Sequence, residues 1–183
     1  MTVAGLALSN ASYGQHAVAC DVLRFQNGES AFLEVHVDFE SSLFKPVWTE
    51  EGWQTNVQIE AVVESANGIV NYGKTNILGP VASDSVEATT GRQFHLERIP
   101  VPSGTYNVAV TLRDMVGADG FEETTRIPVE FVSTDVPFFS DPFVVEAFSP
   151  SAGEPLTMLS RSGYEMLPVV EAQLSTEALP ASL

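Results

Sequence analysis

Apolar side chains recur at every second position in several short segments of this chain, and that period decides what it can fold into. Tyr106, Val108, Val110 and Leu112 alternate with polar neighbours, so they lie on one side of a pleated strand. Leu33, Val35, Val37 and Phe39 do the same, leaving Glu34, His36 and Asp38 on the opposite, polar side, where His36 is expected to meet solvent. Thr55, Val57, Ile59, Ala61 and Val63 give a third such face. Each apolar face needs another to cover it, and the 3.6-residue period of helices is almost absent. The chain therefore reads as all-β.

Turn chemistry separates the segments. Asn27-Gly28 closes a first strand over residues 18–25, and Asn67-Gly68 turns residues 53–64 back into residues 69–78. Residues 40–52 carry Leu43, Phe44, Pro46, Val47 and Trp48 and read as a packed connection. Residues 79–91 are polar and β-poor, a loop. Pro102-Ser103-Gly104 joins residues 93–101 to residues 105–114, which read as one hairpin. Residues 124–132 and, more briefly, 143–148 complete the set. Six or seven strands at this spacing predict an antiparallel immunoglobulin-like β-sandwich over residues 16–148.

The ends differ in grammar. Residues 1–15 are small, weakly apolar and uncharged, as expected of a flexible head or the remnant of a signal peptide with its basic start lost. Residues 149–183 open with a Ser/Pro/Gly linker. They continue through an apolar segment, residues 163–170, that has little nearby to pair with and reads as the stub of a second domain. The expected architecture is thus a sandwich with a partly ordered C-terminal extension, clipped at both ends.

Charge narrows the choice of partners. With 24 acids against 8 bases the formal net charge is −16, and only Lys45 and Lys74 are lysines. Such a surface repels phosphate backbones, so nucleic acid is excluded, while a protein or a polysaccharide is allowed. No run of 18 apolar residues marks a transmembrane segment. Cys20 is the one cysteine, so no intrachain disulfide forms. It follows Ala17-Val18-Ala19, a faint echo of a lipoprotein cleavage site, although a small strand residue explains it more simply.

Motifs for catalysis are missing: there is no Gly-x-Ser-x-Gly elbow, His-Glu-x-x-His pair, phosphate-binding loop or Gly-x-Gly-x-x-Gly. No catalytic residue, cofactor or metal is assigned. His16, His36 and His95 are too dispersed for a usual zinc site. Asp114, Asp119, Glu122 and Glu123 crowd one loop, an arrangement open to calcium but equally to a solvated hairpin tip. Phe44, Trp48, Trp53 and Tyr72 are the candidate ligand platform for sugar rings, which a contiguous, exposed and coplanar Trp48, Trp53 and Tyr72 would support; the plainer alternative is a lid over one end of the core.

Four stretches, in order, carry a resemblance: residues 32–39, Gly52-Trp53-Gln54-Thr55-Asn56-Val57, Val101-Pro102-Ser103-Gly104-Thr105-Tyr106, and Gly163-Tyr164-Glu165-Met166-Leu167-Pro168. Together, over about residues 19–170, they resemble the N-terminal region of bacterial GWxTD domain-containing proteins. The resemblance implies an extracytoplasmic bacterial protein, periplasmic or secreted, whose β-sandwich precedes further domains and has no established activity. Gly52-Trp53-Gln54-Thr55-Asn56 has Asn56 where the family signature has Asp and reads as a strand start, so no functional residue carries over. The expected function is a non-enzymatic exported structural or interaction module, with a carbohydrate-binding module as the alternative.

Overall fold

The computed structural model describes residues 17–27, 30–117, 119–131, 140–151 and 157–170. Strands β1 (Val18–Asn27) and β2 (Ser30–Glu40) form a hairpin, with Asn27 opposite Ser30. After a 3-10 turn at Ser41–Leu43 come β3 (Pro46–Trp48), β4 (Trp53–Ser65) and β5 (Gly68–Leu78), the last two joined across Ser65 and Gly68. Then follow β6 (Arg92–Pro100), β7 (Gly104–Asp114) and β8 (Glu122–Phe131). The expected strands are all present.

They build two antiparallel sheets, β1-β2-β6 and β5-β4-β7-β8, with β3 pairing the first residues of β4. The strand order is that of an immunoglobulin-like sandwich. Leu33, Val35, Val37 and Phe39 from one sheet meet Val57, Ile59, Ala61, Val63, Val108, Val110 and Leu112 from the other in a single core. The alternation therefore gave the inward faces correctly. Tyr106 joins that core and donates its hydroxyl to the Pro102 carbonyl oxygen at 2.6 Å, tying the start of β7 to the preceding turn. At Gly52, φ is +144° and an added Cβ would meet the Ala82 carbonyl oxygen at 2.8 Å; glycine there lets Trp53 bridge to Ala82.

Two expectations need correction. The strands either side of Pro102-Ser103-Gly104 are not a hairpin: β6 pairs with β2, whereas β7 pairs with β4 and β8. The turn carries the chain from one sheet to the other, which a Pro-Ser-Gly sequence permits as readily as a return. Nor is the late apolar segment unpaired. β11 (Tyr164–Pro168) lies antiparallel to β9 (Val145–Pro150), with β10 (Ser160–Arg161) on its other edge. The strand expected at 143–148 thus belongs to this small third sheet and not to the sandwich.

Candidate functional site

The third sheet settles over the outward face of β1-β2-β6, and that contact creates the most unusual site in the molecule. Glu34, His36 and Asp38 do point away from the core, as the alternation requires, yet Glu34 is 0% and His36 1% exposed. The expectation of a solvent-facing His36 is therefore overturned: the chain's own C-terminal sheet covers that face. Arg161 of β10 donates from Nη2 to Glu34 Oε1, and Arg98 of β6, directly across from Glu34 in the register, donates from Nε to the same oxygen at 2.9 Å. His36 Nε2 lies 3.2 Å from Glu34 Oε2. Burial alone would push the Glu34 carboxyl up. Hydrogen bonds from His36 and Arg98, with the charges of Arg161 and Arg98, overcome that and lower it to about 2.

Aromatic rings fix the cluster laterally. The Arg161 guanidinium carbon sits 4.4 Å from the Phe25 ring centre and 4.7 Å from that of Phe143, while Phe25 stacks on Phe32 at 5.6 Å. Phe143 also meets His36 edge-on at 6.4 Å. A second clasp holds the start of the same segment. Asp141 accepts Arg24 Nε at 2.8 Å, Arg24 Nη2 at 2.6 Å and the Arg24 backbone N–H at 2.9 Å, so its own backbone N–H to the Arg24 carbonyl completes a four-bond lock. Burial raises the Asp141 carboxyl and Arg24 more than reverses it, leaving a lowered value.

The residues of the sequence-derived platform are dispersed. Phe44 is 2% exposed in the core, edge-on to Phe39 and Phe121. Trp48 and Trp53 meet at 5.7 Å but at 75°, edge to face, so they offer no common plane. Tyr72 stands opposite Val62, nine residues along β4 from Trp53 and so about 30 Å away. The rings do not assemble into the coplanar surface that sugar stacking needs.

The other candidates sort in the same way. His36 and His95 occupy opposite faces of one sheet, and His16 lies outside the described residues. His95 faces inward beside β5, where neither ring nitrogen has a hydrogen-bond partner among the described residues and Glu97 Oε2 is 3.4 Å from Nε2. Burial lowers its pKa, with Glu97 pulling the other way. In the acidic loop, Asp114 accepts the backbone N–H of Lys45 at 2.9 Å and of Val116 at 2.8 Å, and Glu122 accepts Arg113 Nε at 2.8 Å. Those carboxylates are engaged in closing the loop, and among the described residues no group of three acid, His or Cys side chains is placed to hold a metal. Cys20 is buried in the core against Val37's side of the sheet.

Sequence reasoning missed the Glu34 cluster, although a signal existed in the unpaired apolar stretch at 163–170, which needed some face to cover. No family model, curated protein or solved structure matches the chain. Among the described residues no helix is long and apolar enough to cross a membrane.

Proposed function

We propose that the chain is a non-enzymatic, exported structural or interaction module, the N-terminal domain of a larger bacterial protein. The observation that carries this reading is the contrast between the two outward sheet faces. One is partly covered by the C-terminal sheet through the Glu34 cluster. The other, on β5-β4-β7-β8, has no sheet over it among the described residues and carries satisfied cross-strand pairs: Gln58 with Asn76 at 3.0 Å, Thr111 with Thr124 at 2.8 Å, and Lys74 with Glu60 at 3.4 Å. Its β5 margin leaves Ile69 66%, Tyr72 63% and Leu78 55% exposed. A sheet face with exposed apolar anchors along one edge suits a protein partner better than a small substrate, which calls for a concavity. The resemblance to GWxTD domain-containing proteins supports the extracytoplasmic setting.

The test is made in the source cell. Fractionation should find the chain outside the cytoplasmic membrane. A photo-crosslinking residue at Tyr72 or Leu78 should give one discrete adduct, whereas the same residue at Glu123, on β8 across the sheet, should give none. A cytoplasmic location, or equal labelling from both positions, contradicts the reading.

A further inference from the structure

Beside the capped Glu34 carboxylate the covering sheet leaves an opening. A shallow cleft of about 260 Å³ is lined by Phe25, Gln26, Phe32, Glu34, Arg98 and Arg161. Its wall is apolar, the Phe25–Phe32 stack with rings 17° from parallel. Its floor is cationic: two guanidiniums face one carboxylate, one more positive charge than Glu34 neutralises. Elsewhere no carboxylate is shared by two bases: Arg24 pairs with Asp141, Lys74 with Glu60, Arg113 with Glu122, and Arg92 with both Asp38 and Glu40 among the described residues. In a chain of net charge −16 this local excess is conspicuous.

The donors are not exhausted. Arg98 directs Nε to Glu34 and Nη2 to the Met158 carbonyl at 3.2 Å, and Arg161 directs Nη2 to Glu34. Nη1 of each has no bond to another described residue, and the side chains remain 39% and 25% exposed. Arg161 is also held in place between two phenyl rings, so its free edge is pre-oriented.

We infer that this cleft binds a carboxylate carried on a small apolar group, the carboxylate bridging Arg98 and Arg161 and the apolar part lying on Phe25 and Phe32. Planar guanidiniums suit a carboxylate's paired oxygens. A phosphate would find no use for the phenyl wall, and the volume, below the range of drug-sized sites, admits about one ring. The carboxylate has two possible sources, a free organic acid or the end of a peptide chain.

The experiment titrates the full isotope-labelled chain by NMR with 3-phenylpropionate, 3-phenylpropionamide, inorganic phosphate, and the tripeptide Gly-Gly-Phe with free or amidated C-terminus. Saturable shifts at the Phe25 and Phe32 amides with a free carboxylate, and binding at least about tenfold weaker for its amide, are expected. Response to the small acid assigns a free acid; response to the free tripeptide alone assigns a chain terminus. Arg98→Gln should weaken binding about tenfold, and Phe32→Ser, which leaves the ion cluster intact, provides the same readout should Arg98→Gln unfold. Equal binding of acid and amide, phosphate binding as well as the acid, or no saturable shift up to about 20 mM of any carboxylate overturns the assignment.

Discussion

Arg161 reaches back 127 positions to the carboxylate of Glu34, which is fully buried, and so joins the last described sheet to the first hairpin. A buried carboxylate is tolerated only when its charge is answered, and here it is answered twice. Removing either side has different consequences.

Glu34→Gln leaves Arg98 and Arg161 facing each other without the anion between them. It should destabilise the chain by about 3 kcal/mol in urea unfolding, the scale for stripping one partner from a buried pair. Arg161→Met keeps the contact with Phe25 and Phe143 but drops the bond. Its effect should be local, with faster hydrogen exchange at Met166, whose N–H pairs with Leu159 in the third sheet, and unchanged exchange at Val110 in the sandwich. Uniformly faster exchange would show that the third sheet and the sandwich open together.

Acid should unfold the protein in two stages. The His95 pKa is lowered in the native state, so as pH falls below about 6.5 the unfolded chain takes up a proton that the native one refuses, and stability declines. Thermal melts of His95→Gln should lack that first decline. Glu34 shifts the other kind of group: its stability is fully present above 4.5 and is lost as pH drops toward 2, on the order of 3 kcal/mol, with Asp141 adding in the same direction. Glu34→Gln should flatten this second stage.

Val110 is 0% exposed between the sheets, whereas Val62 points outward from the neighbouring strand. Val110→Ala should cost about 2 kcal/mol through lost transfer energy and a residual cavity. Val62→Ala should cost less than about 0.5 kcal/mol. Equal losses in denaturant melts would contradict the strand phasing.

Net charge of −16 predicts a salt response. Between about 0.01 M and 0.1 M sodium chloride the screening length falls from about 30 Å to about 10 Å, which removes most repulsion among surface acids. The melting temperature should rise over that interval. Calcium at matched ionic strength should add little, because Asp114 and Glu122 are already engaged; a large extra gain would reveal a cation site by mass action.

The sandwich was legible in the sequence because a period of two is set by the backbone and recorded residue by residue, as in Val57, Ile59 and Ala61. Strand partners were less so. Nothing in Pro102-Ser103-Gly104 distinguishes a return within one sheet from a passage to the other. Alternation alone did not reveal the Glu34 cluster, because it reports which side a residue faces, not whether a distant segment covers that side. Glu34 and His36 look like surface residues until Arg161 arrives from the far end of the chain. The aromatic platform is dispersed for a similar reason: Trp53 begins β4, whereas antiparallel pairing sets Tyr72 of β5 opposite Val62, nine residues further along.

The passage between sheets at residues 101–103 has a consequence for how the chain can be divided. β2 finds its second neighbour only in β6, and β4 only in β7. Residues 1–90 alone contain the β1-β2 and β4-β5 pairings but lack β6 beside β2 and β7 beside β4. No cut between β5 and β6 yields two self-sufficient pieces. Each sheet is thus completed only by a strand from the later half of the sandwich.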